Sequence, residues 1–112
     1  MDKIITIVDD DANILTSLSI LLKNEGYQVF SYNDGTQALE ELDRIQTDLF
    51  ILDIKMPGID GMELLTLIRK VNSKPIIFLT SKADEIDEVI GLKIGADDYI
   101  KKPFSQPFFT DL

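Results

Sequence analysis

Four aspartates, two hydroxyl residues and two lysines of this 112-residue chain stand where short apolar runs end. "KIITIV" is followed by Asp9, Asp10 and Asp11. "DLFILD" closes on Asp53, ahead of a Pro-Gly turn, and "KPIIFLTS" closes on Thr80 and Ser81. "DDYI" is followed by Lys101, Lys102 and Pro103. Taken singly, each has a bland reading: a solvated Asp turn, a strand-end threonine, a surface lysine pair. Brought to one place, they have a specific chemistry. Clustered carboxylates repel and raise one another's pKa unless a cation neutralises them. With oxygen ligands only, a hard divalent ion such as Mg²⁺ fits, taking one or two carboxylates and a backbone carbonyl while keeping waters and binding phosphate oxygens. A lysine and a threonine hydroxyl beside it add a positive charge and a donor. That set suits phosphoryl transfer, where positioning and charge neutralisation dominate catalysis, with Asp53 as the nucleophile that accepts phosphate.

The elements that must deliver these residues alternate along the chain. Residues 3–9, 27–32, 48–53, 74–80 and 97–101 read as strands. The first, third and fourth are nearly continuous in Ile, Val, Leu and Phe, the pattern of strands buried on both faces of a parallel sheet. Between them run helical patterns. Ile14, Leu18, Leu21 and Leu22 share one face of a first helix ended by Gly26. Ala38, Leu39 and Leu42 mark a second, opened by "NDG"; Leu64, Leu65 and Ile68 mark a third, with Asp60 as N-cap; Ile86, Val89, Ile90 and Ile94 mark a fourth before Gly95. The order βαβαβαβαβ with short connections demands right-handed crossovers and predicts a doubly wound α/β fold, strand order 2-1-3-4-5. Ligands of such sheets bind outside the carboxyl ends of the strands where the order switches, here between strands 1 and 3. Asp9, Asp10, Asp53, Thr80 and the lysines all fall on that edge.

Composition narrows the partners. One domain with a single core fits this length. Eleven basic against twenty acidic residues give a net charge of −9, and the basic residues do not cluster, so neither nucleic acid nor anionic membrane is an expected partner. The absence of Cys excludes disulfides and thiolate metal sites, and the absence of His removes imidazole ligands and the commonest general base. The start, "MDKIITIVDD", turns acidic too early for a signal peptide, and no apolar run reaches membrane-spanning length, so a cytoplasmic location is the default expectation.

Together, "IVDDD", "ILDIKMPGIDGMELL", "IIFLTS" and "GLKIGADDYIKKPFS" resemble the receiver domain of two-component response regulators, a flavodoxin/CheY-like fold. The resemblance is to the OmpR-type subfamily of winged-helix transcription factors and, within it, to ChvI-type regulators of alphaproteobacteria. It implies a receiver over residues 1–105 whose Asp53 is phosphorylated by a partner sensor histidine kinase. Such a domain catalyses its own phosphoryl transfer and slow autodephosphorylation rather than acting as an enzyme on other substrates. It further implies that Asp10 touches Mg²⁺ directly, Asp9 mainly through water, and that the Lys55 carbonyl supplies another ligand. Thr80 and Lys102 would bind phosphoryl oxygens, Lys102 rather than Lys101 because it directly precedes Pro103 across a cis bond. Tyr99 matches the aromatic switch residue that responds to Thr80, and Lys55, Ser81 and Lys82 would rim the pocket. The tail departs from the family pattern. Residues 106–112 read "QPFFTDL", with Pro107 and no Lys or Arg, where a long fifth helix is expected. The fifth helix is thus expected to be short or absent. The homodimer that pairs the fourth helix, fifth strand and fifth helix would then lack basic partners for Asp97 and Asp98.

Three rival readings are weaker. A haloacid-dehalogenase-type phosphatase also uses a strand-terminal Asp nucleophile, but Asn13 stands where that motif wants Thr or Val, and the Asp pair precedes the Lys. A receiver-fold interaction module without phosphorylation would not need all five pocket positions. An FMN-binding domain needs a Ser/Thr/Gly-rich phosphate loop after strand 1, which is missing.

Overall fold

Chain alternation gives a doubly wound arrangement in which every long apolar run is a strand. The computed structural model describes residues 2–80 and 96–101, the last three as backbone. The expected fourth helix, Ser81, Lys82, Lys102, the cis bond, the Tyr99 side chain and the tail after 101 lie outside that description. The elements are β1 (Ile4–Val8), α1 (Ala12–Asn24), β2 (Gln28–Tyr32), α2 (Gly35–Glu41), β3 (Leu49–Asp53), α3 (Gly61–Arg69), β4 (Ile76–Thr80) and β5 (Asp98–Lys101). The sheet is parallel, in the order β2-β1-β3-β4-β5. The order 2-1-3-4 is the expected one, and the backbone of Asp98–Lys101 pairs beyond β4 at the far edge.

Strand parity sorts the core onto two faces. Ile5 and Ile7 of β1, Ile51 of β3, and Ile77 and Leu79 of β4 pack with Leu18 and Leu22 of α1. The alternate residues Val8, Phe50, Leu52, Ile76 and Phe78 pack with Leu64, Leu65 and Ile68 of α3 and Ala38 of α2. All five residues of β4 are buried. This is why β1, β3 and β4 lack polar alternation: each face of each strand meets a helix or a neighbour's side chains. A fully buried Leu, Ile or Phe contributes about 1.5–3 kcal/mol, so both faces are needed to hold a sheet of this size. At the edge, β2 is only partly buried, which fits its mixed "QVFSY".

The helices are cut by local chemistry. Asp34 caps α2 through Gln37 N, and Asp60 caps α3 through Glu63 N at 2.9 Å, as its position before "GMELL" predicts. α1 ends where Gly26 takes φ +97°. Its amide bonds the Lys23 carbonyl and that of Tyr27 bonds the Leu22 carbonyl, closing the last turn. Gly58, at φ +74°, makes the turn after Pro57.

At the amino edge of the sheet two aspartates pin strands. Asp48 accepts the Ile4 amide at 2.8 Å while its own amide donates to the Ile4 carbonyl at 2.8 Å. Asp97 repeats the device on Ile76, with both bonds 2.8 Å long, and the same Oδ2 also meets Arg69 Nη2 at 3.0 Å. Asp97, which the family resemblance places on a dimer surface, is therefore engaged within the chain.

Candidate functional site

The carboxyl edge is built from strand ends in step. Val8 pairs with Leu52, so Asp9 leaves β1 beside Asp53, the last residue of β3. Asp53 in turn pairs with Leu79, which puts Thr80 one residue further along β4, and Thr80 pairs with Lys101. Asp9, Asp53 and Thr80 are buried; Asp10 is exposed at the mouth. Lys55, two residues past Asp53 in the loop toward α3, is exposed.

Three carboxylates meet there. Oxygens of Asp9, Asp10 and Asp53 all lie within 4.8 Å of one another. Opposite ligands of a small octahedral cation are about 4 Å apart. The cluster is therefore close to the size of one coordination sphere, its three carboxylates leaving the other positions to waters or a backbone carbonyl, and its all-oxygen donors suit a hard divalent ion. Two of the three carboxylates are buried, which makes their mutual repulsion costly without a counter-charge.

The Asp run divides into separate jobs. Asp9 is fully buried; its amide continues the pairing with β2 by donating to the Tyr32 carbonyl at 3.1 Å. Asp10 faces the cluster. Asp11 turns away to cap α1, its Oδ1 accepting from Asn13 N at 2.9 Å and Ile14 N at 3.4 Å, while its own amide donates to Asp9 Oδ1 at 2.9 Å. The capping role was missed in the sequence, although an Asp directly before a helical pattern is its usual signal. A second unpredicted feature is Gly61 at the start of α3, whose amide donates to the Ile54 carbonyl at 2.8 Å. Of the residues singled out from sequence, Asp9, Asp10 and Asp53 come together, and Thr80 ends the neighbouring strand. Lys102, Ser81 and Lys82 are outside the described residues.

Residues 5–111 match the family model described as "Response regulator receiver domain". The chain belongs to the response regulator receiver domains. This receiver is 44% identical over 100 residues to the DNA-binding response regulator MtrA of Mycobacterium tuberculosis, covering 89% of this chain and 44% of that protein. It is 41% identical over 105 residues to the regulatory protein VanRc of Enterococcus gallinarum, covering 94% of this chain and 46% of that one. The receiver thus spans under half the length of these relatives. Among solved structures, a receiver domain protein from Methanospirillum hungatei superposes with TM-score 0.91 at 34% identity, covering 99% of this chain and 90% of that one. One from Clostridium thermocellum gives 0.92 at 28% identity, covering 97% and 89%. Among the described residues, no helix is long and apolar enough to cross a membrane.

Proposed function

We propose that this receiver accepts a phosphoryl group on Asp53 from a sensor histidine kinase, in a Mg²⁺-dependent reaction. The meeting of Asp9, Asp10 and Asp53, with carboxylate oxygens within 4.8 Å of one another, carries the reading. An Asp53 carboxylate oxygen attacks phosphorus; the bond from phosphorus to the donor's imidazole nitrogen breaks, and its electron pair stays with the donor. Asp10 and Asp53 directly, Asp9 mainly through water, and the Lys55 carbonyl would hold Mg²⁺, which when bound neutralises the acidic cluster and the charge on the phosphoryl oxygens. Thr80 and Lys102 bind those oxygens, Tyr99 reports the change, and Ser81, Lys82 and the Lys55 side chain rim the pocket. The identity to MtrA and VanRc supports an OmpR-type regulator that acts in the cytoplasm on transcription through a DNA-binding region beyond the receiver.

Intact mass after acetyl phosphate, with and without Mg²⁺, tests this. The parent gains one phosphoryl group only with Mg²⁺. Asp53→Asn gains none, and Asp10→Ala loses most labelling while remaining folded. Undiminished labelling of Asp53→Asn would overturn the assignment of the acceptor, and undiminished labelling of Asp10→Ala that of the metal ligand.

A further inference from the structure

Helix α3 begins against the backbone of the strand that carries Asp53. A Cβ placed on Gly61 would lie 2.8 Å from Ile54 Cα, 2.9 Å from the Asp53 carbonyl carbon and closer still to the Asp53 carbonyl oxygen. Real Cβ atoms essentially never approach under 3.0 Å, and these neighbours are backbone, with no side chain to swing aside. Gly61 is not among the positive-φ glycines, so the demand at this position is for space, not for a special backbone conformation. Gly35 shows the contrast: its added Cβ would meet Ile59 at 3.2 Å, a gap that a small shift relieves. The first turn of α3 is itself rigidly set, with Asp60 Oδ1 on Glu63 N at 2.9 Å and the Asp60 carbonyl on Leu64 N at 2.9 Å.

We propose that Gly61 is a positioning residue for the acidic site. Its missing side chain seats the capped end of α3 directly on the Asp53–Ile54 peptide, fixing where Asp53 leaves the strand relative to Asp9 and Asp10. The inference rests on the reading of Asp53 as phosphoacceptor. Any side chain at position 61 must either push the Asp53 peptide, shifting Asp53 against Asp9 and Asp10, or lift α3 and remove the contact that holds that peptide in place. Groups that only orient metal ligands characteristically alter affinity about 10–100-fold when changed, so the effect is expected to be large in metal binding.

The experiment titrates the folded protein with Mg²⁺ alone by calorimetry, alongside urea unfolding and acetyl phosphate labelling. Gly61→Ala is expected to weaken Mg²⁺ binding about tenfold or more and to slow labelling. Gly26→Ala, strained by its φ of +97° but remote from the cluster, is expected to lose stability and keep the parent's Mg²⁺ affinity. A folded Gly61→Ala that binds Mg²⁺ within about twofold of the parent, well below the usual effect of an orienting group, overturns the proposal. Should Gly61→Ala fail to fold, the Asp60 pair decides. Asp60→Ala loosens the seat and is expected to weaken Mg²⁺ binding several-fold, whereas Asp60→Asn keeps the cap and the affinity; equal affinity of both variants overturns the proposal. A parent that neither binds Mg²⁺ nor labels overturns the phosphoacceptor reading, and this inference with it. A parent that does both, beside an unaffected Gly61→Ala, overturns this inference alone.

Discussion

Removing Asp97 isolates the energy of one strand pin. Its Oδ2 accepts from the buried Ile76 amide at 2.8 Å and from Arg69 Nη2 at 3.0 Å. Ile76 opens β4, the strand that carries Thr80, so the pin holds the register on which the site depends. A hydrogen bond to a charged group is worth about 1.5–3 kcal/mol, and a buried amide left without its acceptor costs a similar amount. The Arg69 pair is partly exposed, with side-chain accessibilities of 24% and 54%, and adds little; such pairs contribute roughly 0.2–1 kcal/mol. The guanidinium also keeps the Lys74 carbonyl at 2.6 Å, so losing Asp97 does not strand it. Asp97→Ala is therefore expected to cost about 2–3 kcal/mol, or about 8–12 °C in Tm for a domain of this size. Asp97→Asn retains an acceptor for the Ile76 amide and should cost about 1 kcal/mol or less. Urea unfolding of both variants, read at constant m-value, measures the difference. An alanine variant within about 0.5 kcal/mol of the parent, the ordinary range of surface substitutions, would refute the pin. So would an asparagine variant as unstable as the alanine one, because the charge and not the acceptor would then carry the energy.

Asp11→Ala removes the cap of α1 and should cost about 1 kcal/mol in urea unfolding, with Asp11→Asn within a few tenths of the parent; equal losses in the two variants would mean that the cap is not the source. If the exposed Lys55 rims the pocket as proposed, drawing anionic donors and crowding the attacking water, Lys55→Ala should both slow labelling by acetyl phosphate and speed loss of the phosphoryl group. Dephosphorylation within about twofold of the parent would reduce Lys55 to a solvated surface residue.

Much of this was legible before any coordinates. The continuous Ile, Val, Leu and Phe of "IITIV", "LFILD" and "IIFLT" announce strands covered on both faces, and the intervening helical periodicity leaves little choice of topology. Strand ends then place Asp9, Asp10, Asp53 and Thr80 on one edge without any contact being known. The division of labour among Asp9, Asp10 and Asp11 was not legible, because adjacent identical residues differ only in where the backbone points each side chain as a strand gives way to a helix. Nor were the pins. Asp48 and Asp97 look like ordinary first residues of strands, and their partners Ile4 and Ile76 are 44 and 21 residues away. The space demanded at Gly61 is likewise a property of the approach of α3 to β3, invisible in "DG" alone.

One residue type thus does opposite work at the two edges of the sheet. At the amino edge, Asp48 and Asp97 accept amides from β1 and β4, and Asp97 also meets a guanidinium; their charge is answered from within the fold. At the carboxyl edge, Asp9, Asp10 and Asp53 are set against one another, and burial of two of them sharpens the repulsion. The first arrangement stores stability in strand register. The second gathers negative charge where, in the function proposed above, Mg²⁺ and the phosphoryl oxygens would complete the site. Because the edges are joined by the same strands, loosening a pin should lower stability before it changes metal binding, whereas disturbing the seat of α3 on the Asp53 peptide should do the reverse. That opposite ordering separates the residues that hold the receiver together from those that hold its acidic site in shape.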